Sequence, residues 1–144
     1  MTMPSRIQLQ RRAGWRMPAN TVKVDRATRL GNPFVILNDT PEERTASVRR
    51  FAICMTQPAT WRRHGTLAIA RGGRAGEGYF LDIKTRLPDL RGRNLACWCR
   101  LCAAHQGGKP FGVSCTACAA CHADVLGELA NGLKCEALAA GAAA

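Results

Sequence analysis

The chain has 144 residues, with 21 Lys+Arg against 10 Asp+Glu, 8 Cys and a formal net charge of +11. This length predicts one compact domain and excludes collagen, coiled coil and long disorder. No segment resembles a membrane span or a secretory signal, which predicts a cytoplasmic protein without a membrane partner. In a reducing compartment, cysteines are expected to be metal ligands or reactive groups instead of disulfides.

The basic residues are concentrated in the first half of the chain. Residues 1–74 carry +10 of the net charge, and 17 of the 21 basic residues are Arg. Arg-rich surfaces attract phosphates, so the pattern predicts a nucleic-acid or nucleotide partner. The alternative is a compositional bias toward Arg, Ala and Gly that leaves solvated surface charges. The residues predicted to contact phosphate are Arg16, Arg26, Arg29 and Arg91.

The first half of the chain predicts short extended elements. Residues 1–20 are interpreted as a short strand or an extended arm, and Thr21–Val24 alternates like a half-buried strand. A turn at Gly31-Asn32-Pro33 precedes Phe34–Leu37, an apolar run typical of a buried strand.

A helix is predicted over residues 41–56. Asp39 or Thr40 can cap it, Pro41 suits its first position, and acidic residues follow in its first turn. Within this helix, Cys54 is predicted to be a small core residue and not a ligand.

The second half predicts further helices and one strand. The predicted elements are a helical piece at Leu67–Ala70, a Gly-rich loop at Gly72–Gly78, a helix within Phe80–Leu87, a strand at Asn94–Trp98, and a helix from Ala123 that Asn131-Gly132 can end. The alternation of strands and helices predicts a small single α/β domain over 1–136 with a short, mostly parallel sheet. A Cys-rich zinc-binding insertion over 97–122 and an Ala-rich disordered tail over 137–144 complete the prediction.

Six of the eight cysteines lie close together in the sequence, between residues 97 and 121. Two C-x2-C pairs, Cys99/Cys102 and Cys115/Cys118, have the ligand spacing of a four-thiolate structural zinc site. With His105 included there are enough ligands for two sites, although one is the simpler prediction. The predicted metal ligands are Cys97, Cys99, Cys102, Cys115, Cys118, Cys121 and His122.

Three other interpretations of the cysteines compete with zinc. Cys118-Ala-Ala-Cys121-His122 spells a covalent haem attachment pattern, which requires export that no signal indicates. An iron–sulfur cluster would need Cys97 or Cys99, because Val125 stands where a fourth ligand is expected. A third reading is that the thiols only fill space.

The predicted strand end and the predicted helix start adjoin in α/β folds, where ligands collect. Cys121, His122 and Asp124, with Asn32, are therefore catalytic candidates as well as metal-ligand candidates. The His-x-Glu pair of zinc deaminases is missing.

Several ordered motifs resemble the domain-of-unknown-function family numbered 4326, which is common in phages and bacteria. The motifs are Gly14-Trp15-Arg16-x-Pro18, Val24-x-Arg26-x-Thr28, Gly31-Asn32-Pro33-Phe34, Leu90-Arg91-Gly92-x-Asn94-Leu95-Ala96-Cys97-Trp98-Cys99, Cys121-His122-Ala123-Asp124-Val125-Leu126 and Ala130-Asn131. The resemblance spans 14–131 and implies a compact α/β domain, with a polar site shared by the Asn32 turn, the Cys97–Cys99 strand end and the Cys121-His122 helix start. It supplies no activity. Relative to the family, Arg100–Ala120 is an insertion.

The leading hypothesis is a cytosolic zinc-binding domain whose Arg-rich face binds a nucleotide or a nucleic acid. One alternative is an enzyme that acts on a nucleotide or a modified base through the Cys/His/Asp site. The other is a purely structural, zinc-stabilised interaction module.

Overall fold

The computed structural model describes residues 3–57 and 77–142. The elements in chain order are β1 (Ser5–Gln8), β2 (Thr21–Lys23), α1 (Pro41–Thr56), α2 (Glu77–Leu90), β3 (Asn94–Cys97), a 3-10 turn (Ala103–His105), β4 (Lys109–Pro110), α3 (His122–Ala130) and α4 (Glu136–Ala142). The helix predicted at Leu67–Ala70 and the Gly-rich loop up to residue 76 lie outside the described residues.

Four strands form one mixed sheet in the order β2-β3-β1-β4. Strand β3 pairs in parallel with both β1 and β2, with Ile7 opposite Ala96 and Val22 opposite Leu95. Of these four strands, β4 alone runs antiparallel to its neighbour, and it pairs with the side of β1 that faces away from β3. The predicted α/β class with a short, mostly parallel sheet is confirmed.

The alternation of side chains along β1 and β3 divides the sheet into two faces. Leu95 belongs to the main core with the helices, whereas Ile7 and Ala96 form a small cluster on the other face against Trp15. Because Arg6 precedes Ile7, its side chain falls on the helix-covered face and is only 1% exposed. A cation is thereby placed between the sheet and α3.

The main core lies between the sheet and the helices. Phe51 of α1 and Phe80 of α2 are both fully buried, with ring centroids 6.4 Å apart, and Phe34 stacks on Phe80 at 6.0 Å. Cys54 is also fully buried among these apolar residues, which confirms its prediction as a core residue.

The predicted helix boundaries follow from their caps. Thr40 is the N-cap of α1 and its side chain accepts a hydrogen bond from the Glu43 N–H, so Thr40 caps the helix and Asp39 does not. Helix α3 ends where Asn131 caps it and Gly132 takes a positive φ of 68°. The predicted helix within Phe80–Leu87 is confirmed and extends over Glu77–Leu90.

The strand predicted at Phe34–Leu37 is wrong. This segment forms no regular element, and Leu37 is 68% exposed. The backbone of Phe34 is bonded to side chains instead of a neighbouring strand: its N–H donates to Asn32 Oδ1, and its carbonyl accepts from Ser47 Oγ at 2.8 Å and Arg26 Nη2 at 3.1 Å. These partners replace a sheet ladder.

The carboxyl-terminal residues also differ from their prediction. Disorder is predicted over 137–144, whereas Glu136–Ala142 form helix α4. Alanine has the highest helix propensity, Glu136 lies in the first turn, and Leu138 packs against the main core. Within the described residues, none of the helices has the length and apolarity to cross a membrane.

Candidate metal centres

Four ligand-bearing side chains of the insertion converge on one point. The Sγ atoms of Cys102, Cys115 and Cys118 and a ring nitrogen of His105 all lie within 4.8 Å of one another. The Cys102 Sγ is 3.9 Å from the Cys115 Sγ and 3.2 Å from His105 Nδ1, and the Cys118 Sγ is 3.5 Å from His105 Nδ1. We call this set the insertion cluster, and it could hold a metal ion.

These separations match the edges of a tetrahedral metal site. Zinc–sulfur and zinc–nitrogen bonds of about 2.3 and 2.0 Å place two sulfurs about 3.8 Å apart and a sulfur and a nitrogen about 3.6 Å apart. Three sulfurs and one imidazole nitrogen complete four-fold coordination without a further group. The arrangement is therefore that of a closed site.

Short local turns bring these ligands together. Cys102 precedes the 3-10 turn, and the His105 N–H donates to the Cys102 carbonyl at 3.0 Å, which places both side chains on one side of that turn. The Cys102 N–H in turn donates to the Cys118 Sγ at 3.3 Å. Hydrogen bonds from the Cys118 and Ala117 N–H groups lower the pKa of Cys115 to about 6, which favours the thiolate form that binds metals.

The composition of this cluster differs from the predicted four-thiolate set. His105 is the fourth ligand-bearing residue of this cluster, where the sequence predicts Cys99. The spacing Cys102-x2-His105 equals that of a C-x2-C pair, so the signal was present in the sequence. Cys99 lies elsewhere because it is only two residues beyond the end of β3, which the sheet holds in place.

A second group lies where β3 ends and α3 begins. The Sγ atoms of Cys97, Cys99 and Cys121 are within 4.8 Å of one another, and those of Cys97 and Cys99 are 3.9 Å apart. We call this set the thiol triad. Cys121 is the N-cap of α3, and its Sγ accepts from the Ala123 N–H at 3.5 Å. Residues 3–57 and 77–142 thus contain two groups that could hold a metal, where one is the simpler prediction from the sequence.

His122 borders the thiol triad without being one of the three. Its Nδ1 is 3.9 Å from the Cys121 Sγ, and its Nε2 is 2.6 Å from the Val24 carbonyl. A carbonyl only accepts, so Nε2 carries the proton and Nδ1 faces the sulfurs. Burial opposes protonation of this ring, but its contacts with Cys97 and the Val24 carbonyl raise the pKa of His122.

The three thiols of the triad share protons unequally. Contact with Cys121 and Cys97 lowers the pKa of Cys99, whereas contact with Cys121 and Cys99 raises the pKa of Cys97. Burial raises the pKa of Cys121. The charges of His122 and of the Arg6 guanidinium also lower the pKa of Cys99.

A cavity of about 280 Å³ opens beside the thiol triad. It is lined by the triad, His122 and Asn32, together with Asp25, Arg26, Ala27, Ile36, Arg44, Ser47, Val48, Trp98 and Ala120. Asn32 is 6% exposed, its Nδ2 donates to Ser47 Oγ at 3.0 Å, and its Oδ1 accepts from the Phe34 N–H at 2.9 Å. Asn32, Cys121 and His122, three of the catalytic candidates, thus border one space.

Asp124, the fourth catalytic candidate, does not line this cavity. Its Oδ2 accepts from Arg6 Nη1 at 2.7 Å and its Oδ1 from Lys109 Nζ at 3.2 Å. Both cations are buried, at 1% and 4% exposure. The Asp124 carboxylate thus links β1 and β4 to α3 through two ion pairs. Sequence patterns do not reveal these long-range contacts.

The predicted phosphate contacts do not form one face. Arg16, Arg26, Arg29 and Arg91 are all exposed. Arg26 follows the carboxyl end of β2, whereas Arg91 precedes the amino end of β3. Since these two strands are parallel, Arg26 and Arg91 lie at opposite ends of the sheet. Of the four, only Arg26 lines the cavity described above.

A different basic groove lies around Trp98. Arg11, Arg12 and Arg100 line a groove with Trp98, whose side chain is 42% exposed. The Arg11 guanidinium carbon is 4.8 Å from the centre of the Trp98 ring, within cation–π range. The Trp98 Nε1 donates to Asp25 Oδ2 at 2.9 Å, which fixes the ring.

The fold and the two sulfur clusters describe an α/β domain with Cys/His groups that could hold a metal ion. The sequence model of the family described as a domain of unknown function (DUF4326) matches residues 7–132. The chain belongs to this family, as the ordered motifs predict. No curated protein and no solved structure matches the chain.

Proposed function

We propose that the chain is a zinc-binding domain whose insertion is held in shape by one zinc ion. The observation that carries the proposal is the convergence of Cys102, His105, Cys115 and Cys118 within 4.8 Å. Zinc fits because three thiolates and one imidazole in tetrahedral arrangement are a common structural zinc set. The insertion has few apolar anchors, so binding energy of the ion becomes folding energy.

The metal content of freshly purified protein tests this proposal. Cys115→Ser is expected to lower the zinc content by about one ion per chain, because it removes one of four ligands. Cys135→Ser is the matched control, since Cys135 is buried and belongs to neither cluster. Elemental analysis of the three proteins measures the effect. Equal zinc in wild type and Cys115→Ser would contradict the proposal.

A second proposed role is binding of single-stranded nucleic acid in the groove around Trp98. The exposed ring beside Arg11, with Arg12 and Arg100 nearby, combines a stacking surface with positive charge. Single strands are bound by this combination, because any base can stack and cations follow the phosphates.

This second role predicts a steep salt dependence. Three phosphate contacts give a slope of about −2 in log affinity against log salt, or roughly a 20-fold loss between 50 and 200 mM. Arg12→Ala and Arg100→Ala are each expected to reduce the slope by about 0.7, while Arg91→Ala, at the far end of the sheet, leaves it unchanged. Fluorescence anisotropy with a labelled oligonucleotide measures this. A flat salt response, or an absence of binding in dilute buffer, excludes the role.

A further inference from the structure

We infer that the thiol triad is a second metal site, with an open coordination position that faces the 280 Å³ cavity and takes a small anionic ligand. This goes beyond the zinc of the insertion cluster, which supplies no position for a ligand. The two proposals rest on different residues, so each can fail alone.

The ligand count separates the two groups. The insertion cluster offers four mutually close ligand atoms, whereas the triad offers three. Structural zinc sites are closed by four protein ligands, and sites that bind or activate a ligand have three and leave the fourth position open. The 3.9 Å separation of the Cys97 and Cys99 sulfurs matches a shared metal.

The surroundings place the open position toward the cavity. Cys97, Cys99 and Cys121 all line it, so an ion held by the three sulfurs would be reached from that space. Its volume of about 280 Å³ is at the lower end of the range for small-molecule sites. The remaining surroundings of the triad are protein: Cys121 is 1% exposed and Cys97 is 7% exposed.

His122 has the arrangement of a residue that serves such a site. Its Nε2–H donates to the Val24 carbonyl, and the edge of its ring packs against Phe51 at a centroid distance of 5.4 Å. Both contacts fix the ring, with Nδ1 directed at the sulfurs. His122 is therefore held beside the triad as a positioning residue, with Nδ1 next to the Cys121 sulfur.

The charges around the cavity define the ligand class. Three thiolates and a divalent ion sum to a charge of about −1, and the buried Arg6 guanidinium, which is paired with Asp124, is held near them by its hydrogen bonds to the Cys99 and Arg100 carbonyls. Arg26 and Arg44 also line the cavity and favour an anion, with Arg44 paired to Asp39 and the Asp25 carboxylate as the opposing charge in the wall.

One buried acceptor in the cavity wall points to a ligand as well. Asp25 is 5% exposed, and its Oδ1 has no hydrogen-bond partner among residues 3–57 and 77–142, while Oδ2 is bonded to Trp98. A buried carboxylate oxygen without a donor is costly, and a ligand N–H or O–H would satisfy it. The structure therefore assigns a small molecule with an anionic ligating atom and a neighbouring donor.

Cobalt substitution of the full chain, with azide as the probe, tests the site. We expect about two cobalt ions per chain and a shift of the visible cobalt bands when azide is added, because azide enters the open position. Cys99→Ser is expected to bind about one ion and to lose the azide response, whereas Cys135→Ser behaves as wild type. Arg44→Gln is expected to weaken azide roughly two- to fivefold without affecting neutral imidazole.

Several results would overturn this inference. Two bound ions with no azide response would show that the triad site is closed, and loss of one ion in His122→Gln would make His122 the fourth ligand. Wild type with a single ion that Cys115→Ser removes and Cys99→Ser retains would leave only the insertion site. Wild type with a single ion that Cys99→Ser removes and Cys115→Ser retains would instead refute the proposed zinc of the insertion cluster. Iron with acid-labile sulfide in the isolated protein would replace the site by a cluster. If Cys99→Ser does not fold, the wild-type azide response alone still decides.

Discussion

Removal of zinc from the insertion cluster is expected to unfold residues 100–120 and to lower the free energy of unfolding of the whole domain. With free zinc at 1,000 times the dissociation constant, the bound ion contributes about 4 kcal/mol. Urea unfolding with and without a chelator, followed by far-UV circular dichroism, measures the difference. The chelator should have little further effect on Cys115→Ser.

The composition of the insertion explains the size of this effect. Between Arg100 and Ala120 only Leu101, Lys109, Phe111 and Cys118 are buried. Of these, Phe111 packs so closely on α3 that a Cβ on Gly127 would come 2.3 Å from its ring. One aromatic contact and one leucine are a small core for 21 residues, so the metal must supply much of the remaining order.

Hydrogen exchange with and without the chelator separates local from global unfolding. Strand β4 lies inside the insertion, and its Lys109 pairs with Arg6 of β1 and binds Asp124 of α3. Loss of the metal should therefore expose amides from the 3-10 turn to β4, including the Gly108 N–H that donates to the His105 carbonyl. Hydrogen exchange should show fast exchange there first. An unchanged unfolding midpoint after complete removal of zinc would contradict a structural role.

The local features of this fold were predictable from the sequence. Thr40-Pro41-Glu42-Glu43 is a complete helix start, and Asn131-Gly132 is a helix end, because both depend on residues a few positions apart. The parallel sheet followed from the alternation of strands and helices. What such patterns could not supply was the hydrogen bonding of Phe34, whose partners Arg26 and Ser47 lie 8 and 13 residues away.

The metal-ligand types were predictable, but their grouping was not. Cys99 and Cys102 form a C-x2-C pair in sequence, yet β3 ends between the main core and the start of α3, which directs Cys99 toward Cys121. Gln8 Oε1 accepts from the Leu101 N–H at 2.8 Å, and Leu101 is buried there, so Cys102 is separated from Cys99 by this anchor. Spacing alone contains no information on such an anchor.

The net charge of the chain also did not reveal which basic residues lie on the surface. Arg6 contributes to the basic first half of the chain, but it is 1% exposed and donates to the Cys99, Arg100 and Ala119 carbonyls. It is thus a buried cross-link between the two sulfur clusters and not part of a phosphate-binding surface. Arg6 is buried under the helices because successive side chains of β1 point to opposite faces of the sheet and Ile7 points to the other face.

Asp124→Asn is expected to lower the free energy of unfolding by about 3–5 kcal/mol. Asp124 is the carboxylate that pairs with both Arg6 and Lys109, two cations with side-chain exposures of 1% and 5%. The amide keeps the shape of the side chain but removes the carboxylate that both buried cations contact. It also removes a negative charge from the first turn of α3, where the helix dipole favours acids.

Asp82→Asn provides the control for this change. Asp82 pairs with Arg86 at 3.1 Å on α2, and both side chains are exposed, so its loss should cost about 0.5 kcal/mol or less. Urea unfolding in zinc-containing buffer compares the two variants with wild type. A loss below about 1 kcal/mol for Asp124→Asn would show that the buried cations find other partners. Because Arg6 also donates to the Cys99 and Ala119 carbonyls, which flank the two clusters, Asp124→Asn should also accelerate the release of bound metal to a chelator.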